Sequence, residues 1–207
     1  MKKLICSLLM AGLVSLSGST FAIDRNSDIA IMDFGTRPGA SETEISLNNA
    51  EYVTSEYIID RLVDDKCFQV KEKDFVMEQI NSEKLSTVGI IDPDTAKRIG
   101  KMLNVRYILC GNIANVSLSE ASGGLGGAGL TKNTVQAHIV GRVMDTETGS
   151  ILYMAKGTGK SASTYTKMNG IGGTLTLGTF QVTLDSVHNA IQKAAYAMVD
   201  ELNKKIK

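Results

Sequence analysis

The sequence predicts a single α/β domain, in which helices cover at least one face of a mixed sheet of four to six strands. One observation is a pair of strand-like runs, at 135–144 and 150–156, separated by a turn. The other is that apolar residues recur at helical spacing in separate segments before and after this pair. The predicted order of elements is strand, helix, strand, helix, helix, strand, strand, strand, helix.

The first half of the chain begins with an apolar run at 29–34, which indicates a strand covered on both faces. A polar loop at 36–46 follows, and then apolar residues at helical spacing predict a helix over 47–65. A short strand is predicted at 68–70. The next helix is predicted to be capped by Asp74 and to end near Leu85.

The clearest helix start is the tripeptide Asp92, Pro93 and Asp94. An aspartate at the N-cap accepts the free amide hydrogens, and a proline at the first helical position loses no hydrogen bond that it could have made. Asn104 is a suitable left-handed residue for the end of this helix. A strand over 106–119 and a last helix from Asp185 complete the predicted core.

The strand pair at 135–144 and 150–156 is the best-specified stretch. In its first run the odd positions, such as Val135 and Ile139, are apolar or small, whereas polar residues such as His138 fall on even positions. Two glycine-rich flanks, 119–134 and 157–182, adjoin the pair at the same end. Any function of the chain has to account for these flanks.

The first residues of the chain predict an export signal. Lys2 and Lys3 precede an apolar run, and small residues lead to Ala22, so cleavage is expected between Ala22 and Ile23. This divides the chain into a signal at 1–22 and one domain at 23–207. Because Gly18 and Ser19 stand where a lipoprotein signal carries its cysteine, no lipid anchor is expected.

The composition narrows the class of function. The chain has 22 acidic and 22 basic residues, and 43% of its residues are hydrophobic. It therefore lacks the basic excess typical of nucleic-acid-binding proteins, and no nucleic-acid partner is expected. Cys67 and Cys110 remain after cleavage, and the sequence leaves open whether they pair.

Two glycine motifs resemble nucleotide-binding loops but lack the necessary context. Residues 124–129 match the dinucleotide-binding spacing, yet a strand rather than a helix follows them. Residues 157–161 end like a phosphate-binding loop, but Met154 occupies the position of its first glycine. His138 and His188 have no neighbouring ligand cluster, and no serine or cysteine comes with a base. The sequence therefore predicts no cofactor, no metal and no enzymatic activity.

Three blocks taken together resemble the curli-secretion channel family, CsgG and its relatives. They are IAIMDFG at 29–35, DPDTAKRIGKMLNVRYILCGNI at 92–113, and GRVMDTETGSILYMAKGTG at 141–159. The resemblance implies a non-enzymatic envelope protein with a three-layer α/β domain akin to the N-terminal domain of TolB. In the channel members the protomers form a ring, and two hairpins per protomer build an outer-membrane pore for unfolded amyloid subunits. These hairpins correspond in position to the two glycine-rich flanks.

The chain departs from the channel pattern in its missing acylated cysteine and in a loop at 36–46 without aromatic residues. Its flanks also show little of the alternation that lipid-facing strands require, and this favours glycine-rich surface loops over membrane strands. If the flanks do reach the membrane, Tyr165 and Phe180 are the candidate membrane-interface residues.

The resemblance predicts a component of the secretion or assembly of curli-like surface material, located in the periplasm or at the periplasmic face of the outer membrane. Its expected partners are further copies of itself, envelope or secreted proteins, and the outer membrane. The alternative is a soluble periplasmic protein-binding or regulatory module without a pore.

Overall fold

The structure is a computed structural model, and it describes residues 23, 26–40, 47, 49–83, 85, 89–125, 128–170, 173–177 and 184–206. For residues 125, 128, 165–170 and 173–177 the description is limited to the backbone. The elements, in chain order, are β1 (Asp28–Ile31), β2 (Gly35–Thr36), α1 (Ala50–Asp65), β3 (Gln69–Val70), α2 (Lys73–Ser82), α3 (Pro93–Leu103), β4 (Tyr107–Leu125), β5 (Ala128–Asp145), β6 (Ile151–Gly170), β7 (Gly173–Leu177) and α4 (Leu184–Lys205).

The strands form one mixed sheet in the order β3-β1-β4-β5-β6-β7, with β2 pairing beside β4. β1 runs parallel to both β3 and β4, whereas β4 to β7 are antiparallel neighbours. Over the described residues the sheet has seven strands, more than the sequence predicts, because the loop after β1 and the second glycine-rich flank each contribute a strand.

Helices cover both faces of the sheet and make a three-layer arrangement. Alternate residues of β1 and of the position after it separate two apolar clusters: Ile29 and Ile31 pack with α1 and α4, while Ala30 and Met32 pack with α2 and α3. This separation follows from the period-two geometry of a strand. The predicted α/β class with a mixed sheet and flanking helices is confirmed.

Helix α3 begins and ends where the sequence predicts. The Asp92 carboxylate accepts hydrogen bonds from the amides of Asp94 and Thr95, each at 3.0 Å. Asn104 ends the helix with φ 50°. The prediction for α2 is wrong in one respect: its N-cap is Glu72 rather than Asp74, which instead lies in the first turn, near the positive end of the helix dipole.

The interpretation of the flanks as surface loops is wrong for the residues described. β4 and β5 stay paired from the core to Leu125 and Ala128, and β6 runs on to Gly170. Gly170 also pairs with Gly173 of β7, so strand pairing continues to the last residue of β6. Continuous backbone pairing with neighbouring strands maintains these elements although their apolar alternation is weak.

Two close contacts fix α4 on the sheet. A Cβ atom built on Gly157 would overlap the carbonyl oxygen of Ala194, and one built on Gly159 would overlap that of Ala190. The two glycines lie on one face of β6, and the two alanines are one helical turn apart. The segment that resembles a phosphate-binding loop is therefore the place where the helix backbone meets the strand.

Candidate functional site

The sheet continues from the core into an arm, which comprises residues 117–125, 128–136, 160–170 and 173–177. Its register is continuous, from Ser117 opposite Gln136 to Leu125 opposite Ala128, and from Gln136 opposite Lys160 to Ala128 opposite Met168. At about 3.3 Å per residue, the nine residues of β4 in the arm span about 30 Å. The two glycine-rich flanks thus form one four-stranded antiparallel ribbon.

The described side chains of the arm are mostly polar on both faces. On the α4 side of the sheet, Thr131 and Asn133 are buried, with 5% and 4% of their surface exposed. The same face carries Glu120 and Ser163 at the positions directly opposite Asn133. The other face alternates small apolar residues with polar ones, and Leu130, 54% exposed, is its largest apolar side chain.

One edge of the sheet is occupied by side chains of α4. β6 pairs with β7 only from Thr166 onward, so no strand of the described residues covers its outer edge along the core. There Lys205 Nζ donates to the Met154 carbonyl at 2.6 Å and Lys193 Nζ donates to the Lys160 carbonyl at 3.1 Å. Charged side chains at an exposed edge are a known way in which proteins block further strand pairing.

Glu201 completes this set of contacts. Its Oε2 accepts a hydrogen bond from the Lys156 amide at 3.0 Å. The hydrogen bond from Lys205 is the main reason why the pKa of Glu201 is lowered, and the bond from the Lys156 amide acts in the same direction. The carboxylate therefore stays ionised at this edge. We call the bonds of Lys193, Glu201 and Lys205 to β6 the α4–β6 edge contacts.

The opposite edge of the arm, along β4, has no such cover. The Val116 amide donates to the Ala40 carbonyl at 2.6 Å, which shows that its N–H points away from β5. By the period of the strand, the amides of Leu118, Glu120 and Ser122 point the same way. Among the residues that the structure describes, no strand pairs with β4 on this side after Val116.

The predicted site residues are only partly described. The backbone of Tyr165 lies in β6 opposite Thr131, but its side chain is not described. Phe180 and Ala22 lie outside the described residues, whereas Ile23 is buried in the core with 5% of its surface exposed. The cleavage site and the two membrane-interface residues remain predictions.

His138 lies on the sheet face opposite α4, as its even position predicts. Its ring contacts Gln136 Nε2 at 2.7 Å and Thr158 Oγ1 at 3.0 Å. Within the described part of the chain, no three His, Cys, Asp or Glu side chains come together in a group that would hold a metal ion. Cys67 and Cys110 are both free thiols, and burial raises the pKa of Cys110.

Sequence reasoning missed the α4–β6 edge contacts. The only available signal is that Lys193, Glu201 and Lys205 fall on one stripe of a helix, eight and four residues apart. Such a stripe is also typical of a solvated helix face, so the contact with β6 becomes visible only in the tertiary structure. Among the helices described, none is long and apolar enough to cross a membrane.

Comparison with solved structures finds similar folds at low sequence identity. The lipoprotein GNA1162 from Neisseria meningitidis is 11% identical, with a TM-score of 0.45 over 66% of this chain and 84% of that one. The C-terminal domain of LpoB from Escherichia coli is 18% identical, with a TM-score of 0.44 over 65% and 82%. The PelC dodecamer from Paraburkholderia phytofirmans is 14% identical, with a TM-score of 0.38 over 86% and 90%.

A comparison with curated proteins finds no significant match. A comparison with protein families, in contrast, matches residues 22–207 to the curli production assembly/transport component CsgG. The match spans the core, the arm and the last helix. Together with the three sequence blocks and the three-layer core, it shows that this chain belongs to the CsgG family.

Proposed function

We propose that this chain is a non-enzymatic component of the cell envelope that supports secretion or assembly of curli-like surface material and associates with itself through its arm. The family supports the envelope and transport role, since its description names a transport component and no chemical reaction. We further propose that the core follows the plan of the TolB N-terminal domain, and that the protein acts in the periplasm or at the periplasmic face of the outer membrane.

The observation that carries self-association is the uncovered β4 edge of the arm. A row of free amide and carbonyl groups at a sheet edge is a template for a further strand. β7 lies at the other side of the same ribbon, so one copy offers two different edges. Pairing of the β4 edge of one copy with the β7 edge of the next is a head-to-tail contact, which closes into a ring if the rotation between copies allows it.

A second candidate function is a periplasmic protein-binding or regulatory module without a pore. The polar character of the described arm favours it, because Ser119, Lys132 and Thr164 are exposed where a lipid-facing strand would carry apolar residues. In that case the same edge binds another envelope protein. Tyr165 and Phe180 then have no role at a membrane interface.

A proline at Ser122 tests the role of the edge. The substitution Ser122→Pro removes an outward amide and places a ring against any added strand, and proline is tolerated at an edge whose N–H faces solvent. We expect self-association, measured by mass photometry and cross-linking in detergent and in buffer, to weaken at least about tenfold, or ~1.4 kcal/mol. Ser122→Ala is the matched control, because it loses the same hydroxyl contacts with Glu120 and Thr131 but keeps the amide.

Fractionation of the envelope separates the two candidate functions. If the chain is a self-associating envelope component, we expect oligomers of the full chain in the outer-membrane fraction. A protein that stays monomeric both in detergent and in buffer, and that is absent from that fraction, contradicts it. Recovery as a monomer with one bound envelope protein would support the module without a pore.

A further inference from the structure

The charges of the chain are distributed unevenly across the sheet. Residues 49–83, which contain α1, β3 and α2, include nine acidic and four basic residues. β5, β6 and the turn between them, residues 128–170, contain five basic and two acidic residues. Both of those acids, Asp145 and Glu147, bind Arg106 at the end of the sheet away from the arm. The β3 edge is therefore acidic and the opposite β6 edge is basic.

The acidic edge contains an open groove of about 390 Å³ between α1 and the β3–α2 segment. The β3-side surface is formed by Tyr52, Glu56, Val63, Glu72 and Asp74, all of which line this groove. Tyr52 and Val63 are 50% and 53% exposed. The surface thus combines apolar contact area with negative charge.

The two lysines of this groove leave two of its carboxylates unpaired. Lys73 lies 3.2 Å from Glu56 and 3.1 Å from Asp33, so Glu56 is paired within the chain. Lys71 lies 2.9 Å from Asp28, which is not part of the groove. Among the described residues, Glu72 and Asp74 form no ion pair. These two carboxylates are available to a cationic partner.

The basic edge has the complementary composition. The β6-side surface comprises Arg142, Ile151, Met154, Lys156 and Lys160, on the outer strand of the core sheet and its neighbour. Ile151 and Met154 are 51% and 40% exposed. Within the part of the chain described, the three cationic side chains form no ion pair, so this surface offers apolar area together with positive charge.

Strand addition does not account for contact between these two edges. The α4–β6 edge contacts already occupy backbone groups of β6 at Met154, Lys156 and Lys160. On the other side, β3 has only two residues, Gln69 and Val70. A partner at either edge of the core therefore has to be bound through side chains.

We propose that the β3-side surface of one copy binds the β6-side surface of a second copy, as a side-chain interface at the level of the core. The partner is a second copy because the chain itself carries both complementary surfaces, on opposite edges of one sheet. This inference rests on the self-association proposed above and adds where the cores meet. The contact is head-to-tail, like the pairing of the arms, so both interfaces join copies in the same direction. Because exposed charges are screened, it weakens as the salt concentration rises.

Charge reversal on each edge is the test. Lys156→Glu with Lys160→Glu, and separately Glu72→Lys with Asp74→Lys, are expected to weaken self-association of the full chain at least about tenfold at low salt, or ~1.4 kcal/mol. Combining all four substitutions is expected to restore most of it, because opposite charges face each other again. Lys97→Glu with Lys101→Glu on α3 is the control, since it makes the same change in charge at two residues that belong to neither surface.

Each outcome decides the inference. It is overturned if the combined variant stays as weak as the single-edge variants, if the control weakens association equally, or if association of the unaltered chain does not depend on salt. If the two substitutions at 72 and 74 lower the melting temperature, Glu72→Lys alone serves in their place. If Ser122→Pro abolishes self-association while the charge variants associate as strongly as the unaltered chain, the proposed core interface is wrong and the arm interface is supported. A monomeric unaltered chain contradicts both.

Discussion

Lys73 is the most enclosed basic residue of the described core. Its side chain is 6% exposed, and its Nζ lies 3.1 Å from Asp33, 3.2 Å from Glu56 and 2.6 Å from Ser55 Oγ. The Tyr52 ring covers the ammonium group, with its centroid 3.4 Å away. The Lys73 side chain thus links the start of α2 to the end of β1 and to α1.

Removal of this ammonium group is expected to destabilise the fold strongly. Lys73→Met leaves the Asp33 carboxylate, whose side chain is 15% exposed, without its cation, and breaking such a pair costs about 3–5 kcal/mol. Lys71→Met is the control, because its pair with Asp28 is about one-third exposed on both sides and contributes about 1 kcal/mol or less. Urea unfolding measures both. Equal losses for the two variants would show that Lys73 has no special role.

Asp92 gives the stability of α3 a dependence on pH. The hydrogen bond from the Thr95 hydroxyl is the main reason why the pKa of Asp92 is lowered, and the amides of Thr95 and Asp94 lower it further. A lowered pKa means that the ionised form is favoured in the folded state. Its contribution to stability is therefore fully present above the ordinary aspartate pKa and is lost as the pH falls through the folded value.

The measurement is the Tm of the unaltered chain and of Asp92→Asn across a range of pH. The asparagine still accepts the cap hydrogen bonds but does not titrate, so the advantage of aspartate should shrink as the solution becomes acidic. Asp92→Ala, which removes the cap, should lower Tm at neutral pH. If the difference in Tm between the unaltered chain and Asp92→Asn stays constant through the acidic range, ionisation of Asp92 does not contribute to stability in this way.

At the scale of the elements, the contact of α4 with β6 depends on missing side chains. Gly159→Ala would place a methyl group against the Ala190 carbonyl and the Ala194 amide, which are backbone atoms that cannot rotate away. The helix must then shift, and we expect a loss of about 3 kcal/mol or more in the free energy of unfolding. Gly123→Ala is the matched control, because a methyl group there meets nothing within 4 Å.

Chemical denaturation followed by circular dichroism compares these two glycine variants. A loss at Gly159 no larger than that at Gly123 would mean that the helix adjusts freely over the strand. The close approach has a further consequence for α4, since it brings Lys193, Glu201 and Lys205 within reach of the β6 backbone. The glycines and the α4–β6 edge contacts therefore belong to one packing arrangement.

At the scale of the whole molecule, the core and the arm are stabilised differently. The core buries two apolar clusters between sheet and helices. The described arm has few apolar side chains and relies on continuous strand pairing. A ribbon with little apolar area of its own is marginal in water, which is why we expect it to gain stability from another copy or another surface.

The β3-side and β6-side surfaces, on opposite edges of the sheet, are also a property of the whole molecule. Their acidic and basic residues are spread over several elements of the sequence, so no local window shows the separation of charge. It appears once the sheet order places β3 at one edge and β6 toward the other. The expected dependence of self-association on salt belongs to this level, because no single residue carries it.

The sequence by itself determined the class of the fold, the boundaries of α3, the alternation of β5 and the family. These properties depend on local rules: the cap at Asp92, the left-handed residue Asn104 and the period of a strand each act within a few residues. Only the tertiary structure decided that the glycine-rich flanks continue as strands. Their side chains carry no clear period, and it is hydrogen bonding to neighbouring strands that orders them. The packing of α4 against Gly157 and Gly159 likewise follows from contacts between residues far apart in the chain. The same is true of the sheet edges that remain available to a partner.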